Sequence, residues 1–117
     1  MMTTLFGIKN CDTVKKARKW LDNHTITHDY HDFRGDGLDA KQVNTWLKAL
    51  GVETLINKRS TTWKQLTDDQ KNSLNDTSAV KLILENPTLI KRPLLEHADQ
   101  YHVGFNEKTW QTLFLNS

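Results

Sequence analysis

The chain has 117 residues, of which 37% are hydrophobic and 26% charged, the composition of an ordinary globular domain. Because single domains typically contain about 100–150 residues, the whole chain, 1–117, is predicted to form one domain without disulfides or structural metals. The formal charge is only +2, and no apolar run approaches the ~20 residues of a membrane span. Neither direct nucleic-acid binding nor a membrane-spanning segment is therefore expected.

The first third of the chain is predicted to form a strand, a helix and a second strand. Residues 3–8 are β-branched and apolar, as in a strand. From Cys11 to Leu21, apolar residues recur at helical spacing and Lys and Arg occupy the other face. Residues 25–33 predict the second strand, and residues 34–37 form a turn. The cysteine therefore lies where a strand is followed by a helix.

The middle of the chain, about residues 39–86, is predicted to be a helical insert. Asp39 can cap a helix that runs to Leu50 and ends at Gly51. Short periodic stretches then predict further helical segments. These cover residues 54–56, 62–66, 68–74 and 77–85.

The last third is predicted to form a β-hairpin and a final helix. Residues 89–96 contain a strand that is interrupted at Pro93, and residues 101–105 form its partner. The chain would turn between them at residues 97–100, and Asn106 can cap the last helix. The predicted order is β-α-β, a helical insert and β-β-α, an α/β fold.

Cys11 is the strongest candidate for a reacting group. The start of a helix stabilises negative charge through free N–H groups and the helix dipole, which favours the nucleophilic thiolate. Lys9 and Lys15 add positive charge, and Asn10 is a polar neighbour. The alternative is a buried, inert thiol, since free cysteines are often buried. A lone thiol is kept reduced most easily in the cytoplasm, so a cytoplasmic protein is expected.

Arg59 and Arg92 are the candidate anion-binding residues. A guanidinium binds carboxylates and other oxyanions through bidentate N–H hydrogen bonds that Lys cannot reproduce. Arg92 also precedes Pro93, where a cis bond or a tight bend would hold it rigidly. The alternative for each arginine is a solvated surface charge.

No metal site or bound cofactor is predicted. His24, His28 and His31 are close in the sequence, but the closely spaced cysteine pairs of a structural zinc site are missing. Residues 35–37 form a turn without the spacing of a phosphate-binding loop. The four tryptophans lie on apolar helix faces and are predicted to belong to the core.

Several segments, in order along the chain, resemble one known family. They are Leu5–Leu21, Arg59–Ser60 with Trp63, Asn86–Leu95 and Val103–Glu107. With them the chain resembles the arsenate-reductase-related family of thioredoxin-fold proteins, which includes ArsC, Spx and YffB-type proteins. The first segment is most similar to the YffB-type members.

The resemblance implies a thioredoxin-like fold with a mixed four-stranded sheet. It places Cys11 at the family's reactive-cysteine position. Arg59 and Arg92 correspond to two of the arginines that arsenate reductases place around arsenic bound to the cysteine. Pro93 corresponds to the cis-proline that faces the reactive cysteine in thioredoxin folds.

The resemblance also implies a function, and the sequence departs from the family's pattern at several places. Residues 103–107 lack the third arginine of arsenate reductases, and Val14 replaces the second cysteine of the Spx redox pair. The expected activity is a glutathione-dependent thiol-disulfide reductase, with glutathione as co-substrate and a glutathione or protein disulfide as substrate. The alternatives are an Spx-like regulator that binds the RNA polymerase alpha subunit, and an arsenate reductase.

Overall fold

A computed structural model describes residues 3–8 and 11–115. The elements follow the predicted order of strand, helix, strand, helical insert, hairpin and final helix. The strands are β1 Thr3–Gly7, β2 Asp29–Asp32, β3 Leu94–His97 and β4 Gln100–Val103. The helices are α1 Asp12–Asn23, α2 Ala40–Leu50, α3 Val52–Leu55, α4 Thr61–Lys64, α5 Asp68–Asn72, α6 Asp76–Glu85 and α7 Glu107–Leu115, with a 3₁₀ turn at Pro87–Leu89.

The four strands form one mixed sheet in the order β2-β1-β3-β4. β1 pairs with β2 in parallel, whereas the β1–β3 and β3–β4 pairs are antiparallel. The parallel pair is connected through α1, as a parallel pair requires a crossover connection. The predicted α/β class and the thioredoxin-like fold with a mixed four-stranded sheet are confirmed.

Side chains alternate between the two faces of the sheet, and each face has its own core. Leu5 and its partner Leu95 face α1 and α7, where they meet Trp20 and Trp110. The next pair along, Phe6 and Leu94, lies in the core on the other face. That core is built mainly from the insert and includes Phe33, Val43, Trp46, Leu47, Leu55, Ile56, Ala79, Leu82, Ile83, Leu89 and Ile90.

Local signals placed several ends of elements correctly. Asp39 caps α2 in a capping box with Gln42, and Gly51 ends that helix with φ 83°. In the hairpin, Ala98 and Asp99 both have positive φ, 51° and 63°, as a two-residue turn between twisted strands requires. Asn106 accepts a hydrogen bond from the Thr109 N–H at the start of α7.

Two predicted strands were too long. β2 contains four residues, because the chain leaving α1 turns through Thr25, which has φ 56°. β3 begins only after Pro93; the apolar residues Leu89 and Ile90 before it are buried in the insert core. Ile90 forms an isolated bridge with Ile56 and is not part of the sheet. The first error comes from a local turn, and the second comes from apolar residues that are buried by the insert rather than by the sheet.

Three of the four tryptophans are buried as predicted, and the fourth is not. Trp20, Trp46 and Trp110 are at most 7% exposed. Trp63 packs against the insert core with only part of its surface. No helix within the described ranges is long and apolar enough to cross a membrane.

Candidate functional site

Cys11 is the N-cap residue of α1. Its backbone is extended, with φ −100° and ψ 120°, and its carbonyl accepts the first helical hydrogen bond from the Lys15 N–H at 3.0 Å. Its own N–H donates to the Ile8 carbonyl at 3.3 Å, just after β1. The residue is partly exposed, and its own side chain makes no capping hydrogen bond to α1. Cys11 therefore combines access to solvent with a position at a helix N-terminus.

The position of Cys11 depends on close packing between α1 and β1. A Cβ atom added to Gly7 would lie 2.7 Å from Cγ2 of Val14, closer than two carbons can approach. Val14 is 1% exposed, so this contact seals the sheet beneath the first turn of the helix. The side chain three residues after the cysteine is thus a buried packing group.

The Arg92–Pro93 segment lies at the same edge of the sheet as Cys11. β1 and β3 are antiparallel, with Phe6 opposite Leu94, so the end of β1 and the start of β3 meet at one edge. The Arg92–Pro93 peptide bond is cis, as the resemblance implied for this position. The Pro93 carbonyl accepts a hydrogen bond from the Gly104 N–H at 2.8 Å, which brings the end of β4 to this edge.

Arg59 and Arg92 are brought together although 33 positions of sequence numbering separate them. The Lys91 N–H donates to the Leu55 carbonyl at 2.9 Å, and the Asn57 N–H donates to the Leu89 carbonyl at 2.8 Å. These backbone bonds hold the segment before Arg59 against the segment before Arg92. Both arginines line one cleft of about 490 Å³.

The cleft carries an excess of positive charge. Glu53 is the one carboxylate among its lining residues, and it pairs with Lys58 at 2.8 Å. Arg59, Lys91 and Arg92 have no ion-pair partner among residues 3–8 and 11–115, and Nη1 of Arg92 is buried there without a hydrogen bond. The lining residues are Glu53, Ile56, Asn57, Lys58, Arg59, Lys91, Arg92 and Gly104.

This charge arrangement suits an anionic ligand. A buried guanidinium nitrogen without a partner loses its hydration and gains no replacement, which a ligand oxygen would supply. Cys11 shares the sheet edge with Arg92 and Pro93 but does not line the cleft itself. Lys58 and Lys91 were not predicted as site residues from the sequence, because isolated lysines have no characteristic spacing.

Tyr30 is another group near the thiol that the sequence did not indicate. Its hydroxyl is buried without a hydrogen-bond partner in the described part of the chain, and the Arg18 guanidinium lies 4.1 Å from its ring centroid. Burial raises the pKa of Tyr30, and Asp32 raises it further; Arg18 opposes this rise, and Cys11 adds to it. Tyr30 and Cys11 are thus close enough to interact electrostatically.

The remaining site predictions concern Lys9, Asn10 and the histidines. Lys9 and Asn10 lie outside the described residues and remain predictions. His28 contacts the Ile26 carbonyl through Nδ1 at 2.9 Å, and His31 contacts the Gly37 carbonyl through Nε2 at 2.6 Å. Among the residues that the structure describes, no group of three His, Cys, Asp or Glu side chains is arranged to hold a metal.

Residues 6–113 match the model of the ArsC family. The chain belongs to the ArsC family. Two curated relatives align with more than nine-tenths of this chain. An uncharacterized protein of Haemophilus influenzae is 51% identical, over 97% of this chain and 99% of its own. The global transcriptional regulator Spx 2 of Lactococcus lactis is 32% identical, over 92% of this chain and 82% of its own.

Solved structures in the ArsC family share the architecture described above. The YffB protein superimposes with a TM-score of 0.90 at 39% identity, covering 95% of this chain and 97% of its own. An arsenate reductase (ArsC) related protein from Brucella melitensis gives a TM-score of 0.79 at 40% identity, covering 97% and 95%. The present chain is therefore an arsenate-reductase-related protein of the thioredoxin-like class.

Proposed function

We propose that the protein is a glutathione-dependent thiol-disulfide reductase with Cys11 as its nucleophile. The observation that supports this most is the position of Cys11. It is the N-cap residue of α1 at the same sheet edge as the cis Arg92–Pro93 bond, and Arg92 lines a cleft in which Arg59, Lys91 and Arg92 have no ion-pair partner among the described residues. This arrangement combines a thiolate-stabilising helix end with groups that recognise a carboxylated thiol compound.

The proposed reaction is monothiol exchange in two steps. The Cys11 thiolate attacks the glutathione sulfur of a mixed disulfide, forming a Cys11–glutathione disulfide and releasing the other sulfur as a thiolate. A second glutathione thiolate then attacks the glutathione sulfur held on Cys11. Oxidised glutathione leaves and the Cys11 thiolate is restored. The electron pair that reduces the substrate comes from the incoming glutathione thiolate through Cys11, and one glutathione is oxidised for each mixed disulfide reduced.

Recognition of glutathione would rest on its two carboxylates and its peptide groups. Arg59 and Arg92 would each bind a carboxylate, and Lys91 adds charge beside them. The backbone next to Pro93 would pair with a glutathione peptide group. Lys9 and Asn10, which precede the thiol, are proposed to assist electrostatically.

Steady-state turnover of a glutathione mixed disulfide with a small thiol tests the proposal. We expect Cys11→Ser to abolish turnover, and Arg92→Ala to raise the KM for the disulfide by about tenfold or more, the cost of one charged hydrogen bond. Lys81→Ala is the matched control, since Lys81 is an exposed cation of α6 outside the cleft. Turnover that survives Cys11→Ser would overturn the proposal.

Alkylation of Cys11 by iodoacetamide tests whether the cleft and the thiol act together. If Arg92 stabilises the thiolate, Arg92→Ala will slow alkylation at neutral pH, and Lys81→Ala will not. Equal alkylation rates in wild type, Arg92→Ala and Lys81→Ala would show that the arginine cleft does not influence the reactivity of Cys11.

A regulatory role is the second candidate, because Spx regulators match over 92% of the chain. In this case the protein would bind the RNA polymerase alpha subunit, as the resemblance implies for Spx. The test measures whether wild type and Cys11→Ala each capture the carboxy-terminal domain of the alpha subunit. Capture that persists in Cys11→Ala, together with no disulfide turnover, would favour regulation.

Arsenate reduction is the third candidate, and residues 103–107 argue against it because they contain no arginine. Arsenate-dependent oxidation of glutathione decides this candidate. Activity no higher than that of Cys11→Ser would exclude it.

A further inference from the structure

The outer edge of β4 carries backbone groups without partners. β3 lies on its inner side, and in an antiparallel pair alternate residues direct their N–H and C=O groups toward the neighbouring strand or away from it. The Gly104 N–H donates to the Pro93 carbonyl at 2.8 Å, so Gly104 and, two residues earlier, His102 direct these groups toward β3. Tyr101 and Val103 therefore direct theirs outward, where no backbone hydrogen bond from residues 3–8 or 11–115 reaches them.

The two outer strands of the sheet differ in how their edges are protected. At β2, the Asp32 N–H donates to Oδ2 of Asp36 at 2.8 Å and the Asp36 N–H donates to the Asp32 carbonyl at 2.8 Å, so the following turn closes that end of the edge. β4 contains neither proline nor lysine, and its register with β3 runs over four pairs without a bulge. Its edge is therefore open to another strand.

A groove of about 270 Å³ follows this edge, with Tyr101, His102 and Val103 along it. Leu50, which packs against the insert core, forms a wall on one face of the sheet, and Trp110 of the α1–α7 core forms a wall on the other. A second copy of this chain would bring the same two walls beside its own β4. A single extended segment has no such walls and fits between them.

The groove favours an uncharged occupant. Within the described part of the chain, its lining residues include no Asp, Glu, Lys or Arg. Burial lowers the pKa of His102 from the ordinary 6.5, with a smaller contribution from His97, so this imidazole is neutral at neutral pH. A charged side chain in the groove would lose its hydration and meet no opposite charge.

The two walls favour alternating side chains, because successive residues of a strand point to opposite faces. On the insert side an added strand meets Leu50, Tyr101 and Val103, which favours valine or isoleucine. On the α7 side it meets Thr109 and His102, which is on the side of β4 that faces the α1–α7 core. Nε2 of His102 is buried without a hydrogen-bond partner among the described residues, and a threonine hydroxyl can donate to it or accept from it.

We propose that the open edge of β4 binds an extended polypeptide segment of alternating valine-like and threonine-like side chains as a fifth strand of the sheet. Backbone hydrogen bonds to Tyr101 and Val103 supply affinity, and the two walls supply specificity. The proposal is independent of the reductase function, because Cys11 takes no part in it. Gly104 lines both this groove and the arginine cleft, so the added strand ends beside that cleft.

Nuclear magnetic resonance of isotopically labelled protein tests the proposal. The probe is the capped heptapeptide acetyl-Ser-Thr-Val-Thr-Val-Thr-Ser-amide, and its matched control has the same side chains with every threonine and valine amide N-methylated. A second control peptide has Glu and Lys in place of the two valines. We expect the probe to bind with a Kd of about 1 mM or lower, and both control peptides to bind about tenfold more weakly or worse.

Amide hydrogen exchange locates the binding. At about 5 mM probe, exchange at the Tyr101 and Val103 amides should slow by about threefold or more, whereas the His102 amide, already bonded to β3, should change little. Unchanged exchange at both outward amides, or equal slowing by the N-methylated peptide, would overturn the proposal. So would outward amides that exchange slowly before any peptide is added, in a protein that sediments as a dimer, because the edge would then belong to a second copy.

Two variants assign the binding to this edge. Val103→Pro removes one outward N–H and keeps the ladder with β3, since proline is tolerated where the N–H faces away from the neighbouring strand, and Val103→Thr is the matched control that keeps the N–H. We expect Val103→Pro to weaken probe binding by about tenfold or more, and Val103→Thr to change it by about twofold at most. Thr109→Lys places a charge at an exposed position beside the groove and should also weaken binding, with the fold of each variant checked by circular dichroism. Probe binding that is unchanged in Val103→Pro and in Thr109→Lys would contradict the proposal.

Discussion

At the scale of single residues, Gly7 sets the distance between β1 and α1. The Val14 methyl groups occupy the space where any side chain at position 7 would begin. We predict that Gly7→Ala lowers the free energy of unfolding by about 1–3 kcal/mol, the usual cost of overpacking a closed interior. Urea denaturation followed by circular dichroism measures the change.

The contact with Val14 can be isolated by a second substitution. Val14→Ala removes the methyl groups that clash, so Gly7→Ala should cost less in a Val14→Ala background than in wild type. Strictly additive losses would show that the crowding at Gly7 has another cause.

His102 makes stability depend on pH. Its Nε2 is buried without a hydrogen-bond partner among the described residues, and burial lowers its pKa from the ordinary 6.5, with a smaller contribution from His97. As the pH falls below 6.5, the unfolded chain takes up a proton that the folded chain resists, so stability is lost on acidification.

We predict that His102→Gln flattens the dependence of stability on pH. The difference in the free energy of unfolding between pH 8 and pH 5.5 should be smaller in the variant than in wild type. Urea denaturation at the two pH values measures both differences, and histidines that do not interact with His102 cancel in the comparison. An equal or steeper loss in the variant would contradict the role assigned to His102.

At the scale of elements, the N-terminus of α2 is held by two side chains that form a capping box. Asp39 accepts a hydrogen bond from the Gln42 N–H at 2.8 Å, and the Gln42 side chain accepts one from the Asp39 N–H at 3.2 Å. We predict that Asp39→Ala costs about 1 kcal/mol of stability. Asp22→Ala removes the same charge near the end of α1 and should cost nothing, because a carboxylate there opposes the helix dipole.

What the sequence predicts well is decided locally. Asp39 and Gly51 mark the ends of α2, and the strand-to-helix junction places Cys11 at the start of α1, because cap residues and periodicity act over a few residues. The placement of Arg59 and Arg92 in one cleft could not be predicted in this way. It depends on backbone hydrogen bonds from Asn57 and Lys91, and any residue except proline can make such bonds.

At the scale of the whole molecule, the two cores share the sheet that separates them. Adjacent residues of β1, Leu5 and Phe6, belong to different cores. Loss of packing on one face therefore weakens the strand that supports the other. The two faces should unfold as one cooperative unit.

Trp110→Ala tests this coupling. Trp110 is 1% exposed in the α1–α7 core, and its truncation should cost about 3–5 kcal/mol. We predict one unfolding transition in the variant, with the same midpoint by circular dichroism and by fluorescence, which includes Trp46 in the opposite core. Separate midpoints would show that the insert side unfolds independently.

Position 14 holds a buried valine and not a second thiol, and this has a kinetic consequence. With one cysteine in this chain, a molecule attached through a disulfide to Cys11 cannot be displaced from within. Its release is a bimolecular event, so the half-life of the adduct varies inversely with the concentration of thiol in solution. A protein with an internal second thiol would instead release the adduct at a rate independent of concentration. The fraction of chains carrying an adduct thus follows the ratio of thiol to disulfide in the surrounding solution. Intact mass spectrometry would measure this fraction, because each modified chain gains the mass of one added group.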